Sequence, residues 1–142
     1  MKREDIVKIA REWIGTPWVH QASVKGVGCD CVGMVRGVYT ELTGKTVGGA
    51  MDYTRSFYLF SGEERLKNEI GKYCMEVPIG EAKSGDVILI SFLNLPSHHI
   101  GILAYGTFIH SWEDIGKVVE IPYDAAWKRL TKAVFRFPEV ED

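Results

Sequence analysis

The sequence has no long uninterrupted apolar stretch, although apolar residues make up 46% of its 142 positions. No segment approaches the ~18 consecutive apolar residues that a membrane-spanning helix needs. The charges of Glu4, Asp5 and Lys8 interrupt the N-terminal region where a secretory signal peptide would have its apolar core. We therefore expect a protein that is made in the cytoplasm without a signal peptide and that has no membrane span.

Concentrated charge of one sign is also missing. The chain has 17 Lys and Arg and 19 Asp and Glu, which gives a formal net charge of −2. A nucleic-acid-binding surface depends on clustered positive charge, and no basic run occurs, so nucleic acid is not an expected partner. A chain of this length suits one domain and can bury a core without a disulfide or a metal.

Cysteine is scarce, with Cys29, Cys31 and Cys74 as the three examples. An odd number does not suggest a disulfide framework, and reduced thiols are usual in the cytoplasm. A structural zinc site needs four ligands at recognisable spacing, and no second pair accompanies Cys29 and Cys31. We therefore predict neither a metal nor another cofactor, and we interpret Cys74 as a core residue within a strand.

Two N-terminal segments carry apolar residues every three or four positions, which predicts two helices. The first covers residues 4–14 and is followed by a long glycine-containing loop. The second begins at Asp30, a preferred N-cap, and ends near Gly44, a preferred C-terminal stop. A third short helix is predicted to follow a capping box formed by Ser61 and Glu64.

The second half of the chain contains short runs of β-branched and aromatic residues separated by Gly, Pro, Ser and Asn, which predict one antiparallel sheet. The predicted strands are Tyr73–Val77, Asp86–Phe92, His99–Tyr105, Thr107–Trp112, Lys117–Ile121 and Ala133–Phe137. Helices first and strands later indicate an α+β fold, with N-terminal helices packed on a central antiparallel β-sheet. The aromatic segment 51–60 either covers this core or lines a substrate cleft.

Cys31 is predicted to lie in the first turn of the second helix. A helix N-terminus carries partial positive charge, which favours the nucleophilic thiolate, and its N–H groups can stabilise an oxyanion. Most free cysteines are buried structural residues, so the position alone leaves both interpretations open. We interpret Asp30 as the N-cap of this helix, and Asp86 as a turn residue at the start of a strand.

A thiolate nucleophile is normally assisted by an imidazole that a third polar group orients. Side chains alternate faces along a strand, so His99 and Gly101 share one face, and His98 points to the other, apolar face. A two-residue hairpin turn places Gly101 opposite His110 and leaves open space between the rings of His99 and His110. This predicts that His99 is the base for Cys31 and that His110 orients it.

Seven segments, in this order, carry a family resemblance: Trp13-Ile14-Gly15-Thr16-Pro17-Trp18, His20-Gln21-Ala22-Ser23, Gly26-Val27-Gly28-Cys29-Asp30-Cys31-Val32-Gly33, Ser84-Gly85-Asp86-Val87-Ile88, His99-Ile100-Gly101-Ile102-Leu103, Phe108-Ile109-His110 and Phe135-Arg136-Phe137-Pro138. Together they span nearly the whole chain. The sequence resembles the NlpC-type cysteine peptidases, papain-like endopeptidases that cut bacterial peptidoglycan stem peptides. It looks most like the branch found among phage-tail and gene-transfer-agent genes.

The resemblance implies one papain-like domain over residues 1–142, with Cys31 as the nucleophile, His99 as the base and His110 as the polar orienter. It implies hydrolysis of a bond next to D-glutamate in the stem peptide, commonly the γ-D-glutamyl–diaminopimelate bond. A phage-tail location, with tail proteins as partners, would bring such an enzyme to the cell wall from outside.

Two positions depart from the family pattern. Val32 follows the nucleophile where the family usually has serine, and we expect it to face the packing side. Trp18 stands where the family often has a tyrosine whose hydroxyl helps the oxyanion site, so Trp18, His20, Gln21 or backbone N–H groups are the predicted donors. Two other functions stay open, because one fold hosts several chemistries: a non-catalytic tail-assembly or wall-binding protein, and an amidase or acyltransferase.

Overall fold

The computed structural model describes residues 1–47, 64–92 and 95–142. The elements in the described ranges, in chain order, are α1 (Arg3–Glu12), β1 (Ser23–Val24), β2 (Gly28–Cys29), α2 (Cys31–Thr43), α3 (Arg65–Ile70), β3 (Met75–Val77), a 3₁₀ turn (Ile79–Glu81), β4 (Val87–Ile90), β5 (His99–Leu103), β6 (Thr107–Trp112), β7 (Lys117–Pro122), α4 (Ala125–Leu130) and β8 (Thr131–Arg136). The predicted α+β order of helices before strands is confirmed. No helix among these is long and apolar enough to cross a membrane.

The bounds of α2 follow its local signals, whereas α1 ends at Glu12, two residues before the predicted bound. Asp30 caps α2, because its carboxylate accepts the Gly33 N–H at 2.7 Å. Gly44 follows α2 in the left-handed conformation, with φ of +72°. The helices approach closely because Trp13 packs against Gly37, where a Cβ atom would lie 2.2 Å from the indole ring.

Six strands form one antiparallel sheet in the order β3-β8-β4-β5-β6-β7, which confirms the predicted single sheet. β6 has the predicted bounds, and the other five predicted strands differ by one or two residues at one or both ends. Two features were not predicted: the short β1–β2 hairpin inside the loop that precedes α2, and α4. Cys74 precedes β3 and is only partly buried against the core, so its placement within a strand was wrong.

The sheet has an apolar layer on each face. α1, α2 and α3 cover one face, where Ile6, Val38 and Ile102 belong to the larger core cluster. The other face carries a smaller cluster, to which Leu103 and Phe108 contribute and against which α4 packs. Because β5 contributes to both layers, its alternate residues point to opposite sides of the sheet.

Asp86 lies in the turn that leads into β4, as predicted, and it is also a buried ionic centre. It is fully buried just before β4. Its carboxylate accepts from Arg3 at 3.0 Å and from Arg136 at 3.0 and 2.9 Å. A buried carboxylate requires such partners, so Asp86 joins the first turn of α1 to the end of β8.

The predicted third helix is α3, which begins at Arg65. Glu64 immediately precedes α3, and its carboxylate accepts the backbone N–H of Ser97 at 3.0 and 3.2 Å. Ser61, the other member of the predicted capping box, lies outside the described residues, as does the aromatic segment 51–60.

Candidate active site

Cys31 is the first residue of α2, as the Asp30 cap predicts. Burial and, second, the neighbouring Asp30 carboxylate raise the pKa of the Cys31 thiol to about 12. Backbone hydrogen bonding by Ile100, Val32 and Cys31 itself lowers this pKa, but by less. Burial of the thiol thus opposes the thiolate that the helix N-terminus favours.

The hairpin of β5 and β6 brings His99 and His110 together. The register of this hairpin pairs Ile102 with Ile109 and Leu103 with Phe108. This register corresponds to the predicted two-residue turn. The His99 Nε2 atom lies 2.6 Å from the His110 Nδ1 atom, a hydrogen-bond distance. The predicted proximity of the two rings is present, and their catalytic roles remain predictions.

The expected open space beside Gly101 is filled. A Cβ atom at Gly101 would lie 2.6 Å from the Phe108 ring and 2.7 Å from the Ile109 carbonyl oxygen. The Phe108 ring also packs against the His110 ring, with centroids 4.6 Å apart. Glycine is therefore required at 101 because an aromatic ring occupies this face, not because the histidines need a gap.

Both histidines are held in the neutral form. Burial, followed by the charges of His110 and His98, holds the pKa of His99 well below its ordinary value of 6.5. Burial lowers the pKa of His110 to about 4. The pair is therefore uncharged near pH 7, and a neutral imidazole is the form that accepts a proton. His110 occupies the Nε2 side of His99, which leaves Nδ1 for a nucleophile.

Cys31 packs against the core cluster that α2 covers, whereas the His99 ring lies against Phe108, a member of the cluster on the other face of the sheet. Backbone hydrogen bonding by Ile100, the residue after His99, reaches the Cys31 thiol. The Cys31 sulfur and the His99 ring form no hydrogen bond with each other in the described part of the chain. Catalytic hydrogen bonds are often long before substrate binds, so this separation is compatible with a later proton transfer.

Asp30 also fixes the loop in front of α2. Its second carboxylate oxygen accepts the Gln21 N–H at 2.7 Å, and Gln21 adopts a left-handed conformation with φ of +62°. The Ala22 carbonyl oxygen lies against Gly33, where a Cβ atom would be 1.8 Å away. Ser23 donates to the Gly33 carbonyl oxygen at 2.6 Å. The loop is therefore held closely against the first turn of α2.

This loop carries the three predicted oxyanion donors. Trp18 pairs with Cys29, and its ring stacks at 6.3 Å, centroid to centroid, with that of His20. Gln21 has an exposed side chain, and its backbone N–H is bonded to Asp30. Trp18, His20 and Gln21 thus lie on the loop that precedes the nucleophile, and their role in binding an oxyanion remains a prediction.

Trp127 is a residue of the site region that the sequence analysis missed. It lies on α4 and packs against His110, with ring centroids 5.3 Å apart and an interplanar angle of 78°. It also contacts Trp112 and Phe92 edge to face. Asp124, which caps α4 by accepting the Trp127 N–H at 3.1 Å, is the one sequence signal for this helix.

His98 and Val32 are two further residues whose surroundings were predicted from the sequence. His98 is half-buried, its Nδ1 atom lies 3.1 Å from the Pro96 carbonyl oxygen, and its ring packs on Phe92. Val32 is buried in the core between α2 and the sheet, as expected for the packing side of the helix. Of these two residues, His98 influences the histidine pair through its charge, which helps to lower the pKa of His99.

The fold is of the papain-like α+β class, and solved structures of NlpC/p60 domains share it. The NlpC/p60 domain of the peptidoglycan hydrolase SagA superimposes with a TM-score of 0.65 and 24% identity, over 96% of this chain and all of that one. A Bacillus cereus NlpC/P60 family protein gives 0.69 and 20%, over 95% of this chain and 40% of that chain. RipB, a peptidoglycan hydrolase of Mycobacterium tuberculosis, gives 0.61 and 21%, over 94% and 63%.

Sequence comparison adds nothing to this likeness. No protein-family model matches the chain, and no curated protein matches it. This chain spans the whole of the SagA domain but less than two thirds of the other two proteins. At these identities the comparison shows the fold, which confirms the expected papain-like architecture.

Proposed function

We propose that this chain is an NlpC/p60-type cysteine peptidase that hydrolyses a peptide bond in peptidoglycan stem peptides. The observation that carries the proposal is the hydrogen-bonded pair of His99 and His110 next to the helix that begins at Cys31, on a fold shared with peptidoglycan hydrolases. We further propose that residues 1–142 act as one catalytic domain, since α1, α2 and the sheet share one core cluster.

The mechanism starts from a neutral thiol and a neutral imidazole. His99 accepts the thiol proton at Nδ1 as the Cys31 sulfur attacks the carbonyl carbon of the scissile bond. The imidazolium then gives this proton to the leaving amine, which departs as the C–N bond breaks and leaves a thioester. A water molecule, deprotonated by His99, attacks the thioester carbonyl carbon. The C–S bond then breaks, the carboxylic acid is released, and His99 returns the proton to the Cys31 sulfur. His110 orients His99 through the bond to Nε2.

Backbone N–H groups are the proposed principal donors to the oxyanion. Backbone hydrogen bonding by Cys31, Val32 and Ile100 already acts on the Cys31 thiol, and the negative oxygen of a tetrahedral intermediate forms next to the sulfur. Such preorganised donors stabilise charge that develops in the transition state. Trp18, His20 and Gln21 remain proposed contributors on the adjacent loop.

The proposed bond is the one next to D-glutamate, of the γ-D-glutamyl–diaminopimelate type. Its support is the motif resemblance, together with the peptidoglycan hydrolases among the structures of the same fold. The same resemblance supports a phage-tail location, with tail proteins as partners. Immunodetection of the protein in purified phage particles tests that location, and its absence from particles that infect normally contradicts it.

The deciding experiment incubates purified protein with muropeptides and identifies the products by mass spectrometry. The parent and Cys74→Ala, which lacks a thiol away from the histidine pair, are expected to cleave the stem peptide. Cys31→Ala is expected to lose all cleavage, and His99→Ala at least about 100-fold of kcat, because a general base contributes that much or more. Cleavage by Cys31→Ala, or products cut elsewhere than beside D-glutamate, contradicts the respective part of the proposal.

A non-catalytic protein on the same fold is the second possible function. The observation in its favour is that Cys31 forms no hydrogen bond with His99 in the part of the chain that the structure describes, while burial raises the pKa of its thiol. Labelling with iodoacetamide separates the two functions. Labelling of Cys31 that depends on His99 supports the peptidase, whereas an unreactive Cys31 together with uncleaved muropeptides supports a binding or assembly role.

A further inference from the structure

His110 has one ring nitrogen whose environment the hydrogen bond to His99 does not explain. The residue is fully buried. Its Nδ1 atom lies 2.6 Å from His99, whereas its Nε2 atom is buried and has no nitrogen or oxygen partner among the described residues. Buried polar atoms without such a partner are rare and call for an explanation.

The surroundings of this ring are aromatic. Phe108 and Trp112, two positions before and after His110 on β6, lie tilted towards its plane at 37° and 34°, with centroids 4.6 and 5.2 Å away. Trp127 of α4 stands nearly perpendicular at 78°, with its centroid 5.3 Å away. An N–H bond lies in the plane of its imidazole, so it can point at the face of a perpendicular ring and not at rings stacked on it.

The contact between the histidines allows two proton arrangements. In one, His110 donates from Nδ1 and its Nε2 atom carries a lone pair. His99 then has its own proton on Nδ1 and cannot accept another there. In the second, His99 donates from Nε2, His110 carries its proton on Nε2, and the Nδ1 atom of His99 is free to accept. Only the second arrangement lets His99 act as the base.

We propose that Trp127 is a positioning residue that selects the second arrangement, because its indole face accepts the His110 Nε2–H. The negative face of an aromatic ring attracts an N–H group and repels a lone pair. Because the two rings share a single hydrogen bond, the position of the proton on His110 determines its position on His99. This inference rests on the proposed function for its catalytic meaning, but the arrangement of protons exists without substrate.

NMR spectroscopy tests this proposal by determining which ring nitrogen of each histidine carries the proton. In ¹⁵N-labelled protein at pH 7, two-bond ¹H–¹⁵N correlations report which nitrogen of each neutral histidine carries the proton, with His20→Gln and His98→Gln used for assignment. The parent is expected to show Nε2–H on both His99 and His110. A proton on Nδ1 of His110 in the parent overturns the inference whatever the variants do.

Two substitutions then separate the role of Trp127 from simple packing. Trp127→Leu is expected to move part of the His110 population to Nδ1–H, and Trp127→Phe, which keeps an aromatic face, to retain the parent pattern. Trp112→Leu is the matched control, because it removes a ring of equal size that lies against the same histidine but not perpendicular to it. An unchanged pattern in folded Trp127→Leu, or the same shift in Trp112→Leu, contradicts the proposal.

Kinetics links this result to the reaction. For Trp127→Leu we expect kcat on a muropeptide to fall by about 10-fold or more with KM changed by less than about threefold, because the wrong imidazole tautomer costs chemistry rather than binding. The two proposals fail separately. If the parent shows the expected proton positions but cleaves nothing, the peptidase proposal is contradicted and the tautomer assignment stands. If the parent cleaves with Nδ1–H on His110, the tautomer assignment and with it His99 as the base are contradicted, whereas the peptidase activity stands.

Discussion

Cys31 is placed where two electrostatic effects oppose each other. Backbone hydrogen bonding at the start of α2 favours the thiolate, whereas burial and the Asp30 carboxylate favour the thiol and dominate. If an uncharged side chain held the loop at position 30, the pKa of Cys31 would be lower. The same carboxylate accepts the buried backbone N–H of Gly33 and the partly buried one of Gln21, so it holds the loop while it raises the pKa of the thiol.

Asp30→Asn is therefore expected to change reactivity and stability in opposite directions. The pKa of Cys31 should fall, because the second-largest cause of its elevation is removed. The free energy of unfolding should drop by roughly 1–3 kcal/mol, because an amide cannot accept both N–H groups as the carboxylate does. The pH dependence of iodoacetamide labelling reports the first effect and urea denaturation the second.

Asp124→Asn is the control for this substitution, because it changes the N-cap of α4 and leaves Cys31 alone. It should lower stability slightly and leave the labelling profile of Cys31 unchanged. A profile for Asp30→Asn that coincides with that of the parent would show that the carboxylate does not influence the thiol.

Acid pH should destabilise the fold through its buried histidines. In the unfolded chain a histidine binds a proton below about pH 6.5, whereas folded His110 stays neutral down to about pH 4. The unfolded state therefore holds more protons between these values. Stability should fall as the pH drops from about 6.5 to about 4, by up to about 1.4 kcal/mol per pH unit for each such histidine.

Urea denaturation at half-unit pH steps measures this slope. His110→Asn removes one of the two strongly shifted groups and should flatten the slope over the same range. Parallel curves for the parent and the variant would mean that His110 does not keep a depressed pKa in the folded protein.

At the scale of elements, the contact between the loop and α2 decides the shape of the site. Gly33→Ala would place a Cβ atom 1.8 Å from the Ala22 carbonyl oxygen, so the loop has to move away from the helix. We expect a loss of about 1–3 kcal/mol, the usual cost of overpacking, together with weaker muropeptide cleavage. Urea denaturation and kcat/KM measure the two effects.

Gly80→Ala provides the comparison for this change. Gly80 lies in the 3₁₀ turn, and a Cβ atom there meets nothing within 4 Å. This variant should keep the stability and activity of the parent within experimental error. If Gly33→Ala behaves in the same way, the loop is not held against the helix as described.

The elements that the sequence predicted correctly are those with strong local signals. Asp30 and Gly44 bound α2 through cap chemistry, and alternation along β5 and β6 was sufficient to bring His99 next to His110. α4 was missed because its six residues are too short to show a helical period. The environment of the histidine pair was therefore incomplete, since Trp127 reaches it from α4.

At the scale of the whole molecule, Asp86 connects distant parts of the chain. Its partners Arg3 and Arg136 are 83 and 50 residues away in sequence, so no local pattern could identify the cluster. The effect of burial on the pKa of Cys31 was not predicted for a related reason. Desolvation of a thiol depends on the residues that the tertiary fold packs around it. The field of the helix N-terminus, by contrast, can be predicted from the sequence, because the N-cap residue shows where the helix begins.

Asp86→Asn should destabilise the protein strongly, because it leaves two arginines that are largely buried without their carboxylate. Breaking a buried ion pair from one side typically costs about 3–5 kcal/mol. Guanidinium denaturation monitored by far-UV circular dichroism measures the loss. Asp142→Asn removes an exposed carboxylate from the same Arg3 and should have a much smaller effect. Equal losses in the two variants would contradict a special role for the buried site.

The aromatic surroundings of His110 also provide the protein with an intrinsic optical probe. Trp112 and Trp127 lie with their ring centroids 5.2 and 5.3 Å from that imidazole, and a protonated imidazole at such range quenches indole emission. We therefore expect the fluorescence of the unlabelled protein to fall when the histidine pair becomes charged. A stopped-flow experiment with muropeptide can follow proton movement at the site during a single turnover, without a chromogenic substrate.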